Sequence, residues 1–148
     1  MVSQKCQYAI RAIFELANRG DDRPVKIGRI AKIQAIPRRF LEVILNQLKH
    51  GGFVESRRGA EGGYFLIRTP RGLTVGDIIR FVEGPIGPID CCSEPAVNQC
   101  PLYGDCVFLP MWQKARKAML AVYDNTTFAD LVEQAQNKDQ CRTQNYCI

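Results

Sequence analysis

The stretch "IPRRFLEVILNQLKHGGFVESRRGAEGGYFLIR", residues 36–68, decides how the rest of the chain is read. Its first half places Phe40, Leu41, Ile44, Leu45 and Leu48 on the inner stripe of a helix. Pro37 suits the first turn of that helix, and Gly51 and Gly52 end it. The second half holds two short β-prone runs, Phe53 to Glu55 and Tyr64 to Ile67. Arg57, Arg58 and glycines 59, 62 and 63 lie between them, a composition that suits a hairpin with a flexible basic tip. A helix that opens on Arg38 and Arg39 and leads straight into a basic hairpin has the pattern of a recognition helix followed by a wing.

The flanking segments complete that pattern. Upstream, "VKIGRIAKIQA" is a short helix with Ile27, Ile30 and Ala31 on one side, so that two short helices meet at a tight turn. Before it, past the polar turn "DDRP", "SQKCQYAIRAIFELANRG" is capped by Ser3 and repeats Ile10, Ile13, Phe14 and Ala17 at helical spacing up to Gly20. Downstream, "TVGDIIRFVEG" has a Thr cap and Ile78, Ile79 and Val82 in phase, closing at Gly84. "PIGPIDCCSEPAVNQCPLYGDC" is broken by prolines and glycines and predicts an irregular loop. Beyond it, "VFLPMWQKARKAMLAVYDNT" predicts a long helix with an apolar stripe of Met111, Ala115, Ala118, Met119 and Val122, and "TFADLVEQAQNKD" a shorter one. A stripe that long on so small a fold is expected to meet a second copy of itself. The expected class is mainly α with a small β-hairpin: a winged helix-turn-helix plus a long dimerisation helix. Its expected divisions are a DNA-binding domain over 1–83, a cysteine-rich loop over 84–106, dimerisation helices over 107–137 and a flexible tail over 138–148.

Charge separates the same parts. Residues 1–81 hold 15 Lys+Arg against 7 Asp+Glu, a balance of +8, while residues 82–148 hold 5 against 8, a balance of −3. The basic half has the electrostatic footprint of a polyanion-binding surface. Arg38, Arg39 and Glu42, in the first turns of the recognition helix, can reach bases and phosphates in a major groove. Arg58, beside Arg57 on the wing, suits a minor groove. The expected partner is a pseudo-palindromic DNA duplex.

The cysteines raise a separate question. No apolar run nears the roughly 18 residues of a membrane span, and the N-terminus carries a helical period with Glu15 instead of a signal sequence, so a cytoplasmic protein is expected. Reducing surroundings and an odd count of 7 cysteines argue against a disulfide framework. Zinc favours tight cysteine pairs, whereas the gaps after Cys92 and Cys100 are wide. Wide spacing on a Gly/Pro-containing loop suits the thiolates of an iron-sulfur cluster. A cluster-free thiol switch stays open through the adjacent pair Cys91-Cys92, but nothing here resembles an enzyme: no C-x-x-C sits in a βαβ setting and no histidine stands near as a base. A small iron-sulfur electron carrier would have no use for the basic helix pair and wing.

"YAIRAIFELA", "RIAKIQAIPRRFLEVILNQLKHGGFVESRRGAEGGY" and the spacing Cys92-x7-Cys100-x5-Cys106-x5-Trp112 resemble the Rrf-two family of winged-helix transcription regulators, of the IscR- and NsrR-like type. The likeness runs from about Ser3 to Phe128. It implies a homodimeric transcription factor, a repressor, with a two-iron or four-iron cluster on Cys92, Cys100 and Cys106 that tunes DNA affinity. The choice of Cys92 over Cys91 rests on the family spacing alone. Relatives supply a fourth ligand either as a histidine three residues after the third cysteine, where this chain has Leu109, or as a first-helix carboxylate, where it has Gln7. Cys6 is then the candidate fourth ligand, with Cys91, Cys141 and Cys147 as outside candidates or resolving thiols. The single histidine, His50, is expected to face solvent or a phosphate.

Overall fold

The first helix, α1 (Gln4–Asn18), is enclosed on most of its circumference: Cys6, Ala9, Ala12, Ile13, Glu15, Leu16 and Ala17 are all buried. Ser3 caps it by accepting the Cys6 amide at 3.2 Å. The computed structural model describes residues 2–20, 23–92, 101 and 105–144. In chain order the elements after α1 are α2 (Ile27–Gln34), α3 (Arg38–His50), β1 (Val54–Arg57), β2 (Gly63–Leu66), α4 (Val75–Glu83), α5 (Leu109–Asn125) and α6 (Phe128–Gln144). Short 3₁₀ turns lie at Pro70–Gly72 and Asp90–Cys92. Helices α2, α3, α4 and α6 and strand β2 all pack on α1. The apolar core that results joins Ile13 and Leu16 to Ile30, Leu41, Leu45, Leu48, Leu73, Ile78 and Phe128.

Two devices set the angle between α2 and α3. Ala35 takes a left-handed conformation at φ 48° and ψ 48°, ending α2, and the next amide, Ile36, donates back to the Ala31 carbonyl at 3.0 Å. Gln34 then ties the turn to α1, its side-chain amide donating to the buried Glu15 carboxylate at 2.9 Å while its carbonyl accepts from the Arg11 guanidinium. In α3, Leu41, Ile44, Leu45 and Leu48 face inward as expected. Phe40 does not; it is 62 % exposed. One residue is about 100° of helix, and a stripe centred on Leu41 and Leu48 leaves Phe40 on the outer flank.

The wing is a two-stranded antiparallel hairpin pairing Val54 with Leu66, Glu55 with Phe65, Ser56 with Tyr64 and Arg57 with Gly63. A single residue, Val25, extends it, exchanging hydrogen bonds of 2.8 and 2.9 Å with Tyr64. Gly63 is needed for this approach rather than for flexibility: its φ is +155°, and a Cβ there would lie 2.5 Å from the Val25 backbone.

The last two helices diverge in role. α4 opens on a capping box between Thr74 and Asp77. Backbone bonds from Val75 to Thr126 and from Phe128 to Leu73 then fasten the start of α6 beside it, with Phe128 fully buried. α6 has 17 residues, the same length as α5, and continues to Gln144 through residues that carry no apolar period. α5 buries no residue completely. Its expected stripe splits: Met119, with Leu120 and Tyr123, leans on the buried trio Cys6, Ile79 and Ile86, whereas Met111, Ala118 and Val122 face outward. Arg80 of α4 clasps Asp124 of α5 at 2.6 and 2.7 Å, holding α5 against the core.

The two strained backbone positions make opposite predictions. Ala35→Gly should raise stability by about 0.5–1 kcal/mol, relieving a left-handed non-glycine residue. Gly63→Ala should lower it by about 1–3 kcal/mol through collision with Val25. Urea denaturation of the two variants checks both signs.

Candidate functional site

The outward face of α3 follows from its inward one. With Leu41, Leu45 and Leu48 turned to the core, helical phase puts Arg39, Val43 and Asn46 on the opposite side. All three are exposed. Arg38 and Glu42 share a flank and pair with each other at 3.2 Å across one turn, both well exposed. In water such a pair contributes little stability. Its effect is to preorient a carboxylate that can accept from a cytosine amino group beside a guanidinium that can reach phosphate. Arg39 makes no ion pair among the described residues. His50 is exposed and its Nδ1 lies 2.7 Å from the Asn46 carbonyl, at the C-terminal end of the helix.

The wing stands at a fixed position relative to α3. Lys49 of α3 bonds Ser56 at 2.6 Å and Glu55 at 2.8 Å, both on β1. The Lys49 hydrogen bond holds the Glu55 carboxyl below the usual carboxylate range. Arg57 keeps its guanidinium 5.7 Å from the centre of the Phe65 ring, on the hairpin, while Arg58 is exposed at the tip. Helix and wing therefore present Arg38, Arg39, Glu42, Arg57 and Arg58 from one connected body. Lys26, at the N-cap of α2, and Arg29 and Lys32 on that helix are also exposed. Their spacing of three, visible in the sequence, matches a polar helix face.

The cysteines divide by surroundings. Cys92 is buried in the 3₁₀ turn that packs on α5, and Cys106 is half-buried just before α5, its carbonyl accepting the Leu109 amide at 3.2 Å. Both thiols are free. Cys100 and Cys147 lie outside the described residues. Cys91 belongs to the same turn as Cys92, and Cys141 to α6. Cys6 is fully enclosed with Ile79 and Ile86, and burial, with Glu83 nearby, pushes its thiol up to about 11. As a ligand it would have to give up that proton to the metal from an enclosed apolar position. Among the described residues no three His, Cys, Asp or Glu side chains converge in a way that could hold a metal ion.

Residues 2–134 match the Rrf2 family, described as iron-dependent transcriptional regulators. The chain belongs to the Rrf2 family. Among its relatives, the HTH-type transcriptional regulator CymR of Bacillus subtilis is 33 % identical over 141 residues, covering 94 % of each chain. Protein rrf2 of Nitratidesulfovibrio vulgaris is 31 % identical over 134 residues, covering 90 % of this chain and 88 % of the relative. The solved structure of B. subtilis CymR, described as the global cysteine regulator, superposes with a TM-score of 0.76 at 32 % identity over 90 % of this chain and 97 % of that one. The structure of T. potens IscR gives 0.73 at 35 % identity over 91 % and 88 %. This Rrf2 protein is accordingly a helix-turn-helix transcription regulator and not an enzyme, and no helix among its described residues is long and apolar enough to cross a membrane.

Arg39→Ala and Arg58→Ala should each weaken specific duplex binding by about 1–3 kcal/mol, with a shallower salt dependence where a phosphate contact is lost. Titration of a labelled operator at several salt concentrations measures both quantities. Unchanged affinity in both variants would remove helix and wing from the recognition surface.

Proposed function

We propose that this Rrf2 regulator is a homodimeric repressor whose hold on a pseudo-palindromic operator is set by an iron-sulfur cluster on Cys92, Cys100 and Cys106. The observation that carries this reading is the setting of the two described cysteines of the triplet. Cys92 lies in the turn that packs on α5 and Cys106 just before that helix, both free thiols, and the helix N-cap, Phe108, supplies no side-chain hydrogen bond. Cysteine sulfurs spaced widely along a loop are the donors such a cluster takes, and the uncapped, positive end of α5 suits an anionic group beside it. When bound, a cluster of two or four irons would supply a cross-link among those thiolates that responds to iron and oxidants. Cys6, fully enclosed with Ile79 and Ile86, is left out of the proposed ligand set.

The chain's own elements offer a route from that loop to DNA. The Cys92 turn packs on α5, α5 is clasped to α4 by Arg80 and Asp124, and Phe81 of α4 packs against Gly51, the C-cap of α3, with its ring 4.9 Å from that of Phe53 just before β1. A shift of α5 therefore reaches both the recognition helix and the dimer. Met111, Ala115, Ala118 and Val122 recur at the spacing of a two-helix seam, and Met111 and Val122 are more than half exposed. A second copy of α5 is the occupant that such a seam fits, and it would set the distance between two recognition helices.

A second reading, a cluster-free thiol switch, is favoured by the likeness to the B. subtilis protein described as the global cysteine regulator. Anaerobic purification with iron and acid-labile sulfide analysis separates the two. The cluster reading expects brown protein, loss of iron in Cys92→Ala, Cys100→Ala and Cys106→Ala, and retention in Cys6→Ala. Colourless wild-type protein whose DNA affinity changes reversibly with thiol oxidation would support the switch instead. For the dimer, Val122→Glu should shift the mass measured by light scattering to that of one chain and weaken operator binding on the order of a hundred-fold, as the two half-sites cease to be bound together.

A further inference from the structure

Two large apolar side chains sit where a surface helix ordinarily carries polar ones. Phe40 is 62 % exposed and Val43 57 % exposed, and neither joins either apolar cluster of the chain. They are three residues apart on α3, so about 60° separates them around the axis and they form one continuous patch. Val43 points directly away from the core, between Arg39 one turn before it and Asn46 one turn after, while Phe40 and Gln47 lie on the flank opposite the Arg38–Glu42 pair. Exposed apolar area on a helix is unfavourable in water, and nothing in the fold of α3 requires it, since Leu41, Ile44, Leu45 and Leu48 already supply the inner stripe.

Charge complementarity names the occupant. The patch is bordered by Arg39 on its own helix, with Arg38 on the opposite flank and Arg58 on the wing, and the Lys49 bonds to Ser56 and Glu55 hold helix and wing together. A surface with arginines around an apolar centre fits a major groove, where the only apolar group offered by any base is the 5-methyl of thymine. We infer that Phe40 and Val43 are specificity-determining residues that read thymine methyl groups, while Arg39 and Asn46 on either side of Val43 offer hydrogen bonds to neighbouring base edges. This rests on the DNA-binding reading of α3, and adds to it the class of base that the helix selects.

The test uses the full-length protein and duplexes it selects from a random-sequence pool. Each thymine of the selected half-site is replaced in turn by deoxyuridine, which keeps every hydrogen-bonding group and removes only the methyl. Wild-type protein should lose roughly four-fold in affinity at one or two positions, the effect of one methyl-sized apolar contact. Val43→Ala should bind the thymine and uracil duplexes equally at one of those positions, and Phe40→Ser at another, with salt-dependent binding of an unselected duplex unchanged. A selected half-site without enriched thymine, uracil duplexes bound as well as thymine ones, or discrimination that survives in both variants would overturn the inference and leave DNA binding intact. Wild-type protein that binds no duplex at any salt would overturn the DNA-binding reading itself, and the inference with it.

Discussion

The burial of α1 is the constraint on which the rest of this structure depends. A helix that touches three other helices, a fourth near the end of the chain and a strand of the wing must be slim where they approach. Ala9, Ala12 and Ala17, together with Cys6, provide that, and Ile13 and Leu16 fill the spaces between. The one buried charge among the described residues, Glu15, is satisfied by the Gln34 amide, so α1 also fixes the turn between α2 and α3. Recognition helix, wing and α4 thus take their positions from one central rod. Close packing of this kind resists continuous deformation, which suits a body that must hold a recognition helix and a wing in fixed positions.

Around that rod the molecule separates its two tasks. The basic face of α3 and the wing is stabilised by local polar bonds such as Lys49 to Glu55 and Arg38 to Glu42. Those are exposed and screened by salt, so they contribute orientation more than stability. The cysteine side is built differently. α5 rests on a small apolar cluster around Cys6, Ile79 and Ile86 and is tied down by Arg80 and Asp124, a shallow attachment compared with the seat of α6, whose Phe128 is fully buried. α4 belongs to both regions, joining the end of α3 through Phe81 and α5 through Arg80.

Much of the secondary structure was legible in the sequence because several helices carry their own start or stop signals. Ser3 and Thr74 cap as their type predicts, Gly51 and Gly84 end α3 and α4, and the change from helical period to short β-prone runs marks the wing. What was misread came from local pattern meeting tertiary geometry. Phe40 belongs by composition to an apolar stripe, but only the packing of Leu41 and Leu48 on α1 decides where that stripe ends. Met119 and Val122 look equivalent along α5, yet one leans on Ile79 and Cys6 and the other faces out. Glycine 63 reads as flexibility until Val25 is found against it.

By itself, then, the sequence determined the fold class, the order of helix, helix, helix and hairpin, the basic character of the DNA-facing half and the spacing of the cysteine triplet. These depend on residue type and separations of a few positions along the chain, which sequence records directly. Tertiary structure alone decided the seat of Val25 beside β2, the latch from Glu15 through Gln34, the enclosure that keeps Cys6 a neutral thiol and the exposure of Phe40 and Val43. Each of these depends on residues brought together across long stretches of chain or on which face of a helix its neighbours cover. Burial and partnership are properties of that assembly, and no local pattern encodes them.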